Sequence, residues 1–375
     1  MTSTANSAAT AGGVRAPGRA PARRGPGRAT LLRLALLAAG VTALWLFPWY
    51  APNDSAVLTV STILMWVIIG TSWNLISGFT GYVDFGHGVH FGVGGYVTGY
   101  LMTRHDWGFG ATLPVAALGC AAFAALIGWP LLRLRGVYFS IAMLGAFLSM
   151  REFAFIWKPV TGGASGLVID ALVDRNWFFY MFLIGAVAVV ALAVGLRRSQ
   201  LGASLLAIRD DEAGAEARGI NTTAVKLVVF SLAAAITGVV GSFWAYQTTF
   251  VDPNILFRED FLITVAVMAT LGGLGTTWGP AVGAAVYLVL QDTFWANDSS
   301  GLFLVWFGLT LVLIVLFLPE GIAGTLQRGE RSAAGRAVLR LRRRFGMRDH
   351  AAYDPVADPG SGDSDSDSDD REARR

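Results

Sequence analysis

Residues 197–226 read RRSQLGASLLAIRDDEAGAEARGINTTAVK, a charged island between long apolar runs. An island this short is no domain. It is long enough for one helix lying on a membrane face, where a soluble partner can push. Leu201, Leu205 and Ile208 fall at helical spacing and give that helix an apolar face. Asp210, Asp211, Glu212 and Glu216 interleave with Arg209 and Arg218 on its other faces. Gly219 is a candidate C-terminal cap, since glycine accepts a left-handed backbone. Asn221 or Thr222 can cap the membrane helix that follows. The expected unit is a helix over 199–219, a glycine turn and a spanning helix. Joined rigidly, it transmits force from a docked protein. A surface helix that merely shields the loop fits the same residues.

Away from the island the chain is apolar. Of its 375 residues, 54% are hydrophobic and 15% charged, where a soluble chain carries about 25% charged residues. The mean hydropathy is +0.53. Apolar runs of about 20 residues mark transmembrane helices. They predict about ten spans, near 31–49, 56–77, 87–102, 111–132, 137–157, 177–196, 224–248, 260–275, 278–295 and 302–319. The third is short, and only Thr276 and Thr277 separate the eighth from the ninth. These three are candidates for re-entrant or broken segments, tolerated only inside protein or along a cavity. Roughly eight to eleven crossings fit. The expected fold class is an all-α polytopic membrane protein with disordered termini. A basic Ala/Gly/Pro/Arg arm covers 1–30, the membrane domain 31–320, and a basic then acidic tail 321–375. Arg23-Arg24 precedes an apolar run, but no small-residue cleavage site follows, so the first helix is expected to stay.

Charge placement sets the expected orientation. With the N-terminus in the cytoplasm, the inside segments gather the N-terminal arginines, Arg133, Arg135, Arg197, Arg198, Arg209, Arg218, Lys226 and the basic stretch 331–348. Outside loops hold only Arg104, Lys158, Arg175 and Arg258. This asymmetry predicts both termini, and the island, in the cytoplasm of a cell-membrane protein. The 331–348 stretch is suited to anionic lipid headgroups; a solvated linker reads the same way.

Composition also excludes classes. Lys158 and Lys226 are the only lysines, and neither sits in the G-K-[ST] context that cradles phosphates. ATP, if it drives the protein, binds another chain, and no cofactor of its own is expected. Cys120 is alone, so no intrachain disulfide or multi-cysteine metal site is possible. His87, His90, His105 and His350 form no metal-ligand motif. No nucleophile, base or metal set converges, so no enzyme and no catalytic residue is expected, and no nucleic-acid partner.

Two glycine-rich segments remain. In 74–95, NLISGFTGYVDFGHGVHFGVGG, glycines let helices bend or pack backbone to backbone. Unwound backbone at membrane depth can meet a polar ligand. Asn74, Asp84 and His87 are its candidate path residues; alternatively Asp84 caps a half-helix and His87 makes a packing hydrogen bond. In 271–284, LGGLGTTWGPAVGA, Gly275, Gly279 and Gly283 recur every fourth residue. That pattern suits close helix packing, for example against a partner permease; a hinge in the element formed by Gly272, Gly273, Gly275, Gly279 and Gly283 is the other reading. Gly272 and Gly273 join Asn74, Asp84 and His87 as candidate translocation-path residues.

The stretch 207–245, AIRDDEAGAEARGINTTAVKLVVFSLAAAITGVVGSFWA, resembles the cytoplasmic loop of ABC-importer permeases. It looks most like the branched-chain amino-acid (Liv-type) permeases, in their M-type subunits. Arg209, Glu212, Ala215, Glu216, Ala217, Gly219, Ile220, Asn221 and Lys226 carry the match. Gly214 stands where that family commonly has alanine. The segments 74–95, 161–167 (TGGASGL) and 271–284 match in order and spacing, and the resemblance covers 56–319. It implies one half of an importer pore, paired with a second permease. Two ATPase subunits would bind ATP and grip Arg209, Asp210, Glu212, Glu216 and Gly219. An extracytoplasmic binding protein would deliver a branched-chain amino acid. An importer of urea, short amides or other amino acids would look much the same. A secondary transporter would need ion-coupling carboxylates in its spans, and this chain offers little beyond Asp84 and Glu152.

Overall fold

The computed structural model describes residues 28–170 and 174–296, with short pieces at 308–309, 312 and 321–323. The expected tenth span and nearly all of both expected tails lie outside the described residues. Helices stand at each of the other nine expected spans: α1 (Arg28–Tyr50), α2 (Asp54–Thr80), α3 (His87–His105), α4 (Phe109–Leu131) and α5 (Val137–Ile156). A single turn, α6 (Lys158–Thr161), precedes α7 (Arg175–Arg198). The island forms α8 (Gln200–Asp210) and α9 (Glu212–Ala217). Then come α10 (Thr222–Thr248), the turn α11 (Pro253–Leu256), α12 (Glu259–Gly272) and α13 (Gly279–Ala296). Five of these, α2, α4, α5, α7 and α10, are long and apolar enough to cross a membrane.

Among the described residues, one short strand pairing departs from all-α. Leu167–Val168 pairs antiparallel with Phe250–Val251 as a two-residue ribbon, β1 and β2. It joins the loop before α7 to the end of α10, and the pairing satisfies backbone groups that an irregular loop would leave open.

Helix α10 is the axis of the molecule, packed along α3 and α4 and also against α2. Bare backbone makes the α3–α10 approach possible: a Cβ at Gly94 would lie 2.0 Å from the Gly238 carbonyl oxygen. Gly88 and Gly92 serve differently, leaving room for the rings of Phe147 and Phe257. On its other side α2 packs against α7, α12 and α13. The outward residues Leu118, Leu126, Ile141, Ile156 and Ile263 are all more than 60% exposed, a surface that only lipid or another subunit can cover.

Helix α12 has 14 residues, a rise of about 21 Å against a hydrocarbon core of about 30 Å. It ends at a turn, 273–278, in which Gly273, Gly275 and Thr276 are buried while Leu274 and Trp278 are exposed, and α13 returns against it. The close packing expected of the glycine row occurs within this chain, where Gly279 and Gly283 bring α13 against α12. A Cβ at Gly272 would lie 1.8 Å from the Gly279 carbonyl oxygen, and one at Gly283 would lie 1.9 Å from that of Met268.

Candidate functional site: the island and the glycine turn

The island is two helices rather than the single helix expected over 199–219. The backbone breaks at Asp211, which is extended (φ −158°, ψ 106°). Asp favours such boundaries because its side chain competes for backbone donors. A Cβ at Gly214 would lie 2.5 Å from Asp211 Oδ2, so the glycine leaves that carboxylate room. Ser199 caps α8, accepting from the Gly202 amide at 3.2 Å. Leu205 and Ile208 are buried under the membrane helices, whereas Leu201, expected on the same face, is 39% exposed. Gly219 has φ +84°. Its amide donates to Glu216 O at 2.9 Å, and the Ile220 amide to Ala215 O at 3.1 Å. This pair of bonds is a Schellman termination. Asn221 then caps α10, accepting from the Ala224 amide at 3.0 Å.

The island is tied to the membrane helices by a buried charge. Lys226, in the first turns of α10, is 1% exposed. Its Nζ donates to Glu212 Oε1 at 2.6 Å, Leu132 O at 3.0 Å and Tyr82 Oη at 3.1 Å. It also lies 4.2 Å from the centre of the Tyr82 ring. Tyr82 Oη in turn donates to Glu212 Oε2. Burial raises the Glu212 pKa, but the hydrogen bonds from Lys226 and Tyr82 and the Lys226 charge together outweigh it, and the carboxyl sits below its ordinary range. The Tyr82 phenol moves up, first through burial and then through its bond to Glu212, so it stays a neutral donor. All three ammonium protons have acceptors, which a buried lysine requires. Beside this knot, Glu216 accepts from Arg135 at 3.1 Å and from Thr222 Oγ1 at 2.8 Å. The arginine pair is 61% and 44% exposed and contributes little to stability.

A second tie reaches the glycine turn. Arg209 donates from a terminal guanidinium nitrogen to Gly78 O at 2.7 Å. The same nitrogen lies where a side chain at Gly275 would sit, 2.1 Å from its Cβ position. Gly275 has φ +74° and Gly273 has φ +114°, conformations that favour glycine. Asn74 is fully buried in α2 and holds the turn twice. Its Nδ2 donates to Thr276 O at 2.9 Å, and its Oδ1 accepts from the Gly275 amide at 2.9 Å. Thr276 Oγ1 closes the turn, donating to Gly273 O at 2.7 Å and accepting from the Gly279 amide at 3.0 Å. Of the sequence candidates, Asn74, Gly272 and Gly273 therefore meet Arg209 around one turn. Glu212, Glu216 and Gly219 gather at the knot, and Asp210 is exposed.

Asp84 and His87 lie apart from both, each 1% exposed. Asp84 Oδ1 accepts from the Gly86 amide at 2.8 Å, and Oδ2 is 3.1 Å from His87 Nδ1. His87 Nε2 is 2.9 Å from Ser72 Oγ and 2.7 Å from Thr237 Oγ1. This closed cluster pins α2, α3 and α10 together. The packing hydrogen bonds of His87 are those of the alternative read from the sequence, but Asp84 does not cap α3, whose N-cap is Gly86 with no side-chain capping bond.

Tyr82, Arg135 and the Leu132 carbonyl were not among the sequence candidates for the site, and neither was Lys226, read there as an inside charge and as part of a motif. Lys226 carried a signal: a lysine entering an apolar helix is an intramembrane ionisable group. Nothing local distinguished Tyr82 or Leu132, which join the knot only through tertiary packing.

Among known proteins, a family model described as the permease component of branched-chain amino acid transport systems matches residues 55–318. The LivM permease of the high-affinity branched-chain amino acid transport system of Salmonella typhimurium is 26% identical over 324 residues, covering 78% of this chain and 74% of that protein. The corresponding LivH permease of Escherichia coli is 25% identical over 289 residues, covering 69% and 91%. A probable branched-chain amino acid permease, LivM, of Methanocaldococcus jannaschii is 24% identical, covering 70% and 92%. No solved structure gives a significant match. The match over 55–318 takes in the island, the knot and the glycine turn, and the chain belongs to the family of branched-chain amino acid transport permeases.

Proposed function

We propose that this chain is a membrane-embedded subunit of an ABC importer for branched-chain amino acids. It pairs with a second permease to form the pore. Two ATPase subunits bind ATP and dock on α8 and α9, and a binding protein delivers substrate on the opposite side. Both termini lie in the cytoplasm, the orientation that the arginine distribution favours.

One observation carries the coupling mechanism: both ties of the island end on elements that bound the membrane interior. Lys226 and Glu212 fasten α9 to α10 and to the loops after α2 and α4. Arg209 fastens α8 to the end of α2 beside the glycine turn. When the ATPases close, a push on α8 and α9 moves these helix ends together. The turn at 273–278 lies in that path, held against α2 by the two hydrogen bonds of Asn74.

The test is Glu216→Ala in the assembled transporter. Glu216 lies at the exposed edge of the knot, so membrane insertion and assembly remain intact. Substrate-stimulated ATP hydrolysis and leucine uptake are lost. Normal substrate-stimulated hydrolysis by the assembled variant contradicts the coupling role, and leucine uptake by the chain without its ATPases contradicts the importer reading.

A further inference from the structure

At the end of the helix bundle away from the island, a cavity of about 240 Å³ opens between α2, α3, α10, α12 and α13. Its rim and floor differ in chemistry. Arg258 and Asp260 form the rim, each side chain 60% exposed. Arg258 Nε donates to Asp260 Oδ1 at 3.0 Å, and its second nitrogen donates to Oδ2. The floor is apolar and buried: Met65 and Phe91 are 4% exposed and Phe261 is 8%. Phe91 and Phe261 have ring centres 5.1 Å apart, and Trp66 stands 5.2 Å from Phe261. Trp244 lines the same cavity, and its Nε1 has no acceptor among the described residues.

We propose that this cavity is an entry site for an α-amino acid with a compact apolar side chain, its carboxylate on Arg258, its ammonium on Asp260 and its side chain on the Phe91–Phe261 floor. The inference rests on the transport reading above and deepens it by placing substrate contacts in this chain. The volume lies just below the ~300 Å³ at which small-molecule pockets begin, which suits one amino acid. The rim carries one positive and one negative charge, so a zwitterion meets both complements, whereas a bare anion or cation meets an already neutralised pair. Because both rim charges face solvent, opening their mutual pair costs little. The buried Phe91 and Phe261 rings give an apolar surface that favours aliphatic side chains, and Trp244 Nε1, without an acceptor among the described residues, offers a donor to the substrate's carboxylate.

The experiment uses the complete membrane complex in lipid nanodiscs, without its binding protein, titrated with L-leucine while tryptophan fluorescence is read. Saturable binding is expected. Arg258→Gln and Asp260→Asn each raise half-saturation at least tenfold, and so does Thr264→Trp, which fills the cavity without touching the charges. Asp260→Asn also narrows the preference for leucine over 4-methylpentanoate, which lacks the ammonium. If the parent complex binds leucine and all three variants stay within twofold of it, the site is wrong and the transport reading stands. Uptake supported by the binding protein, with no leucine binding in its absence, also overturns the site alone. Failure of the parent complex to take up any branched-chain amino acid, binding protein included, overturns the transport reading and the site with it.

Discussion

Lys226 Nζ and Glu212 Oε1 lie 2.6 Å apart, with the lysine 1% and the carboxylate 15% exposed. Fourteen residues separate them in sequence, and between them the chain leaves the island, turns at Gly219 and enters α10. The pair closes that path into a rigid elbow. Tyr82 and the Leu132 carbonyl take the remaining ammonium protons, so the elbow also grips the loops after α2 and α4.

Removing one partner strands the other. Glu212→Gln leaves the Lys226 charge buried without its counterion and destabilises the protein by about 3 kcal/mol. Lys226→Met combined with Glu212→Gln recovers more than half of that loss. Thermal unfolding of the four-member double-mutant cycle in detergent measures the coupling, and additive effects refute it.

The Glu212 carboxyl has a lowered pKa in the folded protein. Its contribution to stability is therefore complete above the unfolded glutamate value, about 4.3. It is lost as pH falls through the lower folded value. The difference in melting temperature between parent and Glu212→Gln stays constant from pH 8 to about pH 5 and shrinks below about pH 4. A difference that shrinks near neutrality instead excludes Glu212 as the titrating group.

Asn74 is irreplaceable for a geometric reason. Asn74→Leu leaves the Gly275 amide and the Thr276 carbonyl without partners and costs about 2 kcal/mol. Asn74→Asp keeps an acceptor for the amide, loses the donor and buries a charge, so it is the worse of the two. Melting temperatures order the variants as parent, Leu, Asp. Transport falls in the same order, because the turn no longer follows α2.

Two glycines in neighbouring helices separate packing from propensity. Gly94→Ala drives a methyl into the Gly238 backbone, forces α3 from α10 and destabilises by about 3 kcal/mol. Gly119 in α4 has nothing within 4 Å of its Cβ position. Gly119→Ala is neutral or stabilising by up to about 1 kcal/mol. Fluorescence-detected size exclusion of the two variants, before and after heating, distinguishes them.

Apolar run length was enough to locate the helices, because about 20 residues of hydrocarbon-compatible sequence have few alternatives to a helix. The nine expected spans that can be compared fall within three residues of the observed ends. The caps at Gly219 and Asn221 were equally legible, since left-handed backbone and orphan amides are local problems with local solutions. The break at Asp211 was not, because the island's helical spacing runs through it and only the docked position of α9 requires the bend. Nor was the role of Gly275, Gly279 and Gly283, since a bare face in a sequence does not name what packs on it.

The chemistry divides along the same line. From the residues alone came the membrane class, the lack of a lysine in G-K-[ST] context and the charged island between apolar runs. Distance in the chain hid the rest. Asn74 and Gly275 are 201 residues apart, and Tyr82 and Glu212 are 130 apart. Hydrogen bonds of such span depend on how whole helices pack, and packing is set by many weak contacts summed across the bundle, which no single stretch of sequence encodes.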